Sequence, residues 1–384
     1  MMGMSKAVEG RRAACRWLRE TKVGDLVKEK RRMVEVPYTA TLRDTLNALV
    51  ANNVVAVPVA APPGRWIGAG GTSIVELDRA TGAPRKHYIG IVTMLDVLIH
   101  IAEEEGEDTA SSPRTAAAAA RGFDLEHRMS VPVSSIIGHS LEGLSLWTLN
   151  PNTSLMDCME AFSKGVHRAM VPVESRAEHV VAAELEEASP GYRMLTQKDL
   201  LAYLSASRDR LAAVLTPSVA EMGALNTAVF SVTAAARVID TLKAMRAASL
   251  SSVPIVAAAD DDNNAGGDVL AQRGRRRLVG TLSATDLRGC PAERLQSWLY
   301  LTVVEFLDRA ATAAGGGGGG GAERRLVTCR RESSLGKVME AAAAARVHRV
   351  WAVDGEGLLV GLVSLSDMLR AVRESLLAAE QELP

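Results

Sequence analysis

The sequence is short of cysteine, net charge and long apolar runs, and each shortage excludes a class of protein. Its four cysteines are scattered along 384 residues without metal-ligand spacing, so neither a disulfide framework nor a metal site is predicted. The formal net charge of −1 gives no overall field that would attract nucleic acid or an anionic membrane. No apolar run approaches the roughly 18 residues of a membrane span, and the basic N-terminal stretch lacks the apolar core of a secretory signal. We therefore expect an intracellular protein with reduced thiols, no metal and no membrane segment.

One short pattern occurs four times in a chain whose composition, 47% hydrophobic and 23% charged, allows buried cores in two or three domains. Each copy is an apolar strand followed by a hydroxyl residue, two spacers and an aspartate. The copies lie at residues 90–96, 193–199, 280–286 and 361–367. The aspartate is predicted to open an amphipathic helix, because its carboxylate accepts bonds from exposed backbone N–H groups and suits the positive end of the helix dipole.

A helix and another strand precede each copy. The helices are indicated by apolar residues with helical spacing, at Leu42, Leu46 and Leu49; Leu155, Met159 and Phe162; Val238, Leu242 and Met245; and Leu335, Met339 and Ala342. Thr41, Ser154 and Ser334 are placed to cap three of them. The strands that follow carry Pro58, Pro172, Pro254 and, in the last copy, Trp351. Each copy therefore reads strand, helix, strand, strand, helix, which predicts a mixed α/β (α+β) fold.

The segments between these elements are predicted to be flexible loops. Residues 260–277 hold runs of like charge, and residues 315–321 are all glycine, so neither can bury enough apolar surface to become ordered. The glycine-rich residues 66–71 lack the Gly-Lys-Ser/Thr of a phosphate-binding loop. His87 and His139 have no partners at metal-ligand spacing.

The four copies resemble cystathionine-beta-synthase (CBS) repeats in series, as in the gamma-type regulatory subunits of AMP-activated and sucrose-non-fermenting-related protein kinases. Residues 360–369 are especially similar to the last repeat of those subunits, and residues 36–41 and 144–153 are similar to the plant gamma-like branch. The resemblance implies the following boundaries: an N-terminal tail at 1–20, repeats at 21–102, 128–208, 212–292 and 298–376, a linker at 103–127 and a C-terminal tail at 377–384. It also implies that the repeats pair along the chain into two Bateman modules, about 20–208 and 212–376, which form a disk.

The hydroxyl–x–x–Asp element suits an adenosine nucleotide, because a carboxylate can accept both ribose hydroxyls while the nearby Ser or Thr donates to sugar or phosphate. The alternative is that all four aspartates are ordinary helix caps. By resemblance, the fourth repeat offers the most complete site, with phosphate contacts from His348 and Arg349 and further contacts from Ser364, Ser366 and Asp367.

The other three repeats match the family in part. In the second, the resemblance implies contacts from Thr196, Lys198 and Asp199, and from a His167-Arg168 pair that stands two residues further from Pro172 than the family register. In the third repeat, the implied contacts are Ser251, Ser283 and Asp286. In the first repeat, they are Thr93 and Asp96. Val55 occupies the place of a basic residue, which predicts weak phosphate binding in the first repeat.

The resemblance implies a non-catalytic regulatory subunit that senses AMP, ADP or ATP, needs no cofactor, and binds a kinase catalytic alpha-type subunit and a beta-type scaffold in the cytoplasm or nucleus. Two alternatives stay open. One is a stand-alone CBS sensor or scaffold of adenosine ligands, no longer tied to the kinase. The other is an enzyme acting on nucleotides. The repeats and loops argue against it, because they take up the whole sequence and leave no residues for a catalytic domain.

Overall fold

Repeated small sheets carry the fold in the computed structural model, which describes residues 2–61, 66–67, 73–74, 88–103, 125–138, 146–172, 192–257, 276–286, 292–313 and 326–381. The strands are β1 (Val36–Pro37), β2 (Ala56–Ala60), β3 (Trp66–Ile67), β4 (Ser73–Ile74), β5 (Tyr88–Thr93), β6 (Arg168–Pro172), β7 (Tyr192–Thr196), β8 (Val232–Thr233), β9 (Ser252–Val256), β10 (Leu278–Ser283), β11 (Thr328–Cys329), β12 (Arg349–Val353) and β13 (Leu359–Ser364).

The helices are α1 (Met2–Glu20), α2 (Val23–Val27), α3 (Leu42–Ala51), α4 (Met94–Glu103), α5 (Leu125–Ser130), α6 (Leu155–Ser163), α7 (Gln197–Ala206), α8 (Ala212–Leu215), α9 (Val238–Ala247), α10 (Ala292–Leu299), α11 (Val303–Ala313), α12 (Leu335–Ala345) and α13 (Leu365–Gln381). A 3-10 helix spans Val133–Ile136.

Each repeat has a sheet of the same design. A central strand pairs in parallel with the short strand before the first helix and antiparallel with the strand after it, in the orders β1-β2-β5, β8-β9-β10 and β11-β12-β13. In the second repeat β6 pairs with β7, and Thr148 supplies the parallel bridge to Met170. The predicted α/β fold is therefore confirmed, with the helix that follows the third hairpin lying outside the described residues.

The predicted apolar helix faces are buried as expected. All three predicted positions are buried on α3, α6, α9 and α12. The hydroxyls of Thr41 and Ser154 accept the N–H groups of Asp44 and Asp157, both at 3.1 Å. Ser334 stands at the N-cap of α12, but its side chain makes no capping bond to the described residues.

The chain divides into two compact units that do not follow its order. Unit 1 comprises Met1–Met33, Trp147–Val229 and Val327–Pro384, which hold the sheets of the second and fourth repeats. Unit 2 comprises Val34–Leu146 and Phe230–Leu326, which hold the sheets of the first and third repeats. In unit 1, α6 packs on α13 and α7 packs on α12; in unit 2, α4 packs on α9. The contacts thus group alternate repeats, whereas the resemblance implied pairing of consecutive ones.

An exchange of leading segments connects the repeats. In unit 1, the backbone N–H of Val23, just before the first repeat, donates to Thr153 O of the second repeat at 2.9 Å. In unit 2, Val133 N, just before the second repeat, donates to Ala40 O of the first at 2.7 Å. The same exchange recurs between the last two repeats, through Val219 N to Ser333 O at 2.9 Å and Val303 N to Ala236 O at 2.8 Å. Each of the predicted repeats, which begin at residues 21, 128, 212 and 298, therefore contains residues of both units.

The two segments predicted to be tails are helical over residues 2–20 and 377–381, and they pack within unit 1. Leu18 of α1 and Ala379 of α13 are fully buried, and the Arg19 guanidinium donates to both carboxylate oxygens of Glu380 at 3.2 and 2.8 Å. The predicted flexible loops at 260–277 and 315–321 lie outside the described residues, apart from residues 276 and 277. His87, His139 and Cys290 also lie outside them.

The described thiols are buried in unit 1. Cys15, Cys158 and Cys329 are free and lie in the core of unit 1. Burial raises the pKa of Cys158 to about 12 and that of Cys329 to about 11. Such thiols stay protonated at neutral pH and are poor nucleophiles.

Candidate functional site

The hydroxyl–x–x–Asp element forms a reciprocal cap at the start of the helix that follows it. Thr196 donates its backbone N–H and its hydroxyl to Asp199 Oδ2 at 2.8 and 2.7 Å, and Asp199 N donates back to Thr196 Oγ1 at 3.3 Å. Ser364 and Asp367 repeat this arrangement at 3.1, 2.6 and 3.1 Å. The hydroxyl residue is thus the N-cap and the aspartate stands three residues later. The sequence-based assignment of the aspartate as the cap was wrong, because the two side chains form a capping box.

The first repeat contains the same box, and the third contains the bonds from the hydroxyl residue to the aspartate. Thr93 donates its N–H and hydroxyl to Asp96 Oδ2 at 2.8 and 2.7 Å, and Ser283 does so to Asp286 Oδ2 at 2.8 and 3.1 Å. A box of this kind also begins α3, and Ser154 and Asp157 form a related cap at α6, where no ligand is predicted. A capping box alone is therefore a structural feature, and only its surroundings can make it a binding site.

The surroundings differ first in access. Asp96 and Thr93 are 1% and 6% exposed, so the box of the first repeat is closed to solvent. The carboxylates of Asp199 and Asp367 are 30% and 17% exposed. In every box the cap uses Oδ2, so Oδ1 lies outside the cap and is the oxygen that could accept a ligand hydroxyl. In unit 1, both partly exposed box carboxylates lie beside basic side chains.

The strand register shows which residues face each box. In all four hairpins, the first residue of the central strand lies opposite the hydroxyl residue: Ala56 opposite Thr93, Arg168 opposite Thr196, Ser252 opposite Ser283 and Arg349 opposite Ser364. The residue before it accepts a backbone bond from the residue after the hydroxyl: Val55 from Met94 at 2.9 Å, His167 from Gln197 at 3.2 Å, Ser251 from Ala284 at 3.2 Å and His348 from Leu365 at 3.1 Å.

The structural equivalence of these positions corrects one inference from the sequence. His167-Arg168 is in the same register as His348-Arg349, although Pro172 suggested a shift of two residues. Pro58 and Pro254 lie two residues after the start of their strands, whereas Pro172 lies four residues after Arg168. The residue equivalent to those prolines in the second repeat is therefore Met170, and Pro172 is a different position. The expected replacement of a basic residue by Val55 holds.

The two His-Arg pairs and Lys198 form an electrostatically coupled cluster within unit 1. Burial lowers the pKa of His348 to about 2, with further lowering from Lys198, Arg168 and the other members of the cluster. Burial and the charge of Arg349 lower the pKa of His167. Burial also lowers the pKa of Arg349 to about 10, while Asp367 opposes that shift. Both histidines are consequently neutral at pH 7, and the positive charge is carried by the two arginines and Lys198.

A buried glutamine joins the boxes of the second and fourth repeats. Gln197 is 2% exposed, and its Nε2 donates to Ser366 Oγ at 2.8 Å and to the carbonyl of Phe162 at 2.9 Å. Both N–H groups of the amide are thereby used, and the Ser366 oxygen serves as an acceptor. The Ser366 hydroxyl hydrogen can then be donated to another acceptor.

Two basic residues that the sequence did not predict contact the exposed carboxylates. Lys30 forms an ion pair with Asp199 Oδ2, and Arg370 Nη2 donates to Asp367 Oδ1 at 2.9 Å and to the carbonyl of Gly223 at 3.3 Å. Arg370 follows Asp367 by one helical turn, a spacing that could have indicated the contact. Lys30 is 169 residues from Asp199, and no local pattern links the two.

Unit 2 presents a different chemistry at the same positions. Val55-Ala56 and Ser251-Ser252 replace the two His-Arg pairs, so these positions contribute no cation. The Ser283 hydroxyl lies 2.6 Å from that of Thr285. Across the described residues of the chain, no group of three His, Cys, Asp or Glu side chains could hold a metal ion. No helix within that same part is both long and apolar enough to cross a membrane.

Comparisons with known proteins agree with this repeat architecture. The CBS domain family matches residues 322–374, in the fourth repeat. The chain is 49% identical over 356 residues to the Arabidopsis thaliana protein named SNF1-related protein kinase regulatory subunit gamma-like PV42a, covering 92% of this chain and 94% of that protein. It is 46% identical over 369 residues to gamma-like PV42b from the same plant, covering 95% and 98%. Among solved structures, a Methanocaldococcus jannaschii protein described as a proposed archaeal homolog of g-AMPK has a TM-score of 0.58 at 16% identity, over 91% of this chain and 99% of that one. This last likeness concerns the fold alone.

Proposed function

The chain belongs to the family of gamma-like regulatory subunits of SNF1-related protein kinases, and we propose on that basis that it is a non-catalytic subunit that senses adenine nucleotides. The observation that carries the proposal is the cluster of unit 1, where two His-Arg pairs and Lys198 are coupled electrostatically and each arginine lies opposite the hydroxyl of a partly exposed capping box. Hydroxyl acceptors beside phosphate-binding cations are the chemistry that a nucleotide requires.

The second and fourth repeats would bind a nucleotide in the same way. Oδ1 of Asp199 or Asp367 accepts the ribose hydroxyls, while Oδ2 keeps the helix cap. Arg168, Arg349 and Lys198 supply the positive charge for phosphate, and Ser366 donates the hydrogen that Gln197 leaves available. A phosphate raises the pKa of a neighbouring neutral histidine, so His167 can add charge when a ligand binds.

Unit 1 is the better candidate for charged nucleotides. In unit 2 the equivalents of the His-Arg pairs are Val55-Ala56 and Ser251-Ser252, and Asp96 is buried. A phosphate group placed there would find no charge from those positions. We therefore expect at most two phosphate-dependent sites among the four repeats, with Thr93, Asp96, Ser283 and Asp286 acting chiefly as helix caps.

A non-catalytic subunit of this kind acts through a surface that binds other subunits. The curated relatives are named as regulatory subunits of a kinase, and we extend that role to this chain: it would bind a catalytic alpha-type and a beta-type scaffold subunit in the cytoplasm or nucleus. A nucleotide changes such a complex only if its affinity differs between the active and inactive states. The second candidate, a stand-alone adenosine-ligand sensor, is favoured by the missing cations at Val55 and Ser251.

Calorimetric titration of the purified chain with AMP, ADP, ATP and S-adenosylmethionine tests ligand binding. Asp367→Asn and Asp199→Asn each remove a carboxylate acceptor without changing its shape, and each should weaken its site by about 1.5–3 kcal/mol, the cost of a hydrogen bond to a charged group. Asp157→Asn is the matched control, since Asp157 exchanges hydrogen bonds with the N-cap Ser154 at the start of α6 in unit 1. No heat with any nucleotide, or equal losses in all three variants, would rule out these sites.

Co-expression with the catalytic and beta subunits of an SNF1-related kinase separates the two candidates. The regulatory subunit predicts a stable ternary complex whose kinase activity responds to AMP or ATP. It also predicts that the isolated chain does not turn over ATP. A chain that binds nucleotide but is recovered without either kinase subunit would be the stand-alone sensor.

A further inference from the structure

Each partly exposed carboxylate of unit 1 is already held by a basic side chain from outside its motif. Lys30, which precedes the first sheet, pairs with Asp199 at 26% and 30% side-chain exposure. Arg370 pairs with Asp367 at 2.9 Å. Position 370 is basic only in the fourth repeat, because the equivalent residues are Ile99, Ala202 and Gly289. The second repeat thus pairs its carboxylate with a lysine distant in sequence, and the fourth repeat pairs its carboxylate with an arginine of the same helix.

These contacts should weaken binding of the nucleoside part of a nucleotide and favour binding of its phosphates. Arg370 occupies Asp367 Oδ1, the oxygen proposed for the ribose hydroxyls, and so competes with them directly. Lys30 pairs with Asp199 Oδ2 and lowers the negative charge of that carboxylate, so it also weakens binding of the nucleoside part. Each cation also neutralises a negative charge close to the place where phosphates would bind, so it removes a repulsion that grows with the number of phosphates. Both effects shift selection from the sugar toward the phosphates.

We propose that Lys30 and Arg370 act as internal counter-ions that determine ligand specificity, so that the second and fourth repeats select polyphosphate nucleotides over uncharged nucleosides. This inference rests on the proposed nucleotide function of the same two sites. When a nucleotide binds, the displaced ammonium or guanidinium group stays on its flexible side chain and is available to the phosphates. The carboxylate, the counter-ion and the phosphate then form a charge-balanced set.

The test replaces each cation with an apolar side chain of similar length and measures one site at a time. Lys30→Met is made in an Asp367→Asn background, so that the titration reports the second repeat. Arg370→Met is made in an Asp199→Asn background, which isolates the fourth. Adenosine, AMP and ATP are titrated by calorimetry into each. Lys28→Met, which removes an exposed ion pair with Asp25, and Arg208→Met, which removes one with Glu340, are the controls.

We expect the effects on adenosine and ATP to have opposite signs. Release of the carboxylate should strengthen adenosine binding by about two- to fivefold, the range of a partly exposed ion pair, and ATP binding should weaken by about as much. The controls should leave both affinities unchanged. A loss of the same size for both ligands would mean that Lys30 or Arg370 contacts the ligand or supports the fold, and would overturn the inference.

Unchanged affinities in Lys30→Met and Arg370→Met, with normal binding by the parent variants, would also overturn it while leaving the nucleotide function intact. No binding of any of the three ligands to the wild-type chain would instead refute the proposed function, and the specificity role with it. Far-ultraviolet circular dichroism of every variant shows whether a lost affinity comes from lost structure.

Discussion

His348 offers a test of the site that needs no ligand. In the folded chain, burial and the neighbouring cations lower its pKa to about 2 from an ordinary value of 6.5. Between these two values the unfolded chain binds a proton that the folded chain does not. Stability rises with pH wherever the unfolded state binds more protons. The contribution of His348 is therefore fully present above pH 6.5 and is lost progressively as the pH falls.

The size of the effect follows from the two pKa values. From pH 7 to pH 5 the unfolded imidazole goes from mostly neutral to mostly protonated, while the folded one stays neutral. The free energy of unfolding should then fall by about 2 kcal/mol through this one residue. His167, whose pKa is also lowered, should add to the fall. A loss of this size is a large fraction of the total stability of an ordinary domain.

The assay is urea unfolding at pH 7, 6 and 5, for the wild type and His348→Gln. Glutamine keeps polar atoms but cannot be protonated, so the variant should lose about 2 kcal/mol less than the wild type between pH 7 and pH 5. His127→Gln, at an exposed position of α5, is the control and should follow the wild-type curve. If the His348→Gln and wild-type curves fall in parallel, His348 is not a buried neutral imidazole and the account of the cluster is wrong.

Three further outcomes are expected. Calorimetry of ATP binding at pH 6 in two buffers of different ionisation enthalpy should show proton uptake that His167→Gln reduces, because a phosphate favours the charged imidazole; equal observed heats in the two buffers would contradict this. Gln197→Met should cost about 1–3 kcal/mol in urea unfolding, since it leaves the buried Phe162 carbonyl without its side-chain donor, and a neutral effect would mean that the bridge contributes nothing. Leu18→Ala should cost about 2–5 kcal/mol because Leu18 is fully buried, whereas Val304→Ala, at an exposed position, should cost little; equal small losses would restore the view of the N-terminus as a tail.

Local patterns were sufficient to predict the repeats. Apolar spacing identified the inward faces of α3, α6, α9 and α12, since helical periodicity depends only on residues within a few turns. The four hydroxyl–x–x–Asp elements were found for the same reason, because a capping box joins residues three apart. Val55, Ser251 and His348 were also aligned correctly from the sequence. Each lies directly before the central strand of its hairpin and accepts the backbone N–H of the residue after the hydroxyl.

Prediction failed where the decisive contact is distant in sequence or where a conspicuous residue was misplaced. Pro172 was used to align the second repeat, but it is the last residue of β6, four residues after Arg168, whereas the other prolines are the third residues of their strands; Met170 is the true equivalent. The exchange of leading segments and the burial of Leu18 depend on which surfaces meet in three dimensions. The ion pair of Lys30 with Asp199 and the bond of Gln197 to Ser366 each span 169 residues, and no periodicity extends so far.

The separation between capping and binding explains why unit 2 can keep its motifs without a charged site. At Ser283 and Asp286, the hydroxyl, the backbone N–H and one carboxylate oxygen bond to one another, and these bonds hold the local turn whether or not a ligand is present. The arginines that begin β6 and β12 take no part in the caps, and burial of the Arg349 charge is unfavourable. Where no phosphate is bound, replacing a pair such as His348-Arg349 by residues such as Ser251-Ser252 removes that cost and leaves the cap intact. The retained cations of unit 1, rather than the four matching motifs, are therefore the feature of this chain that points to a bound nucleotide.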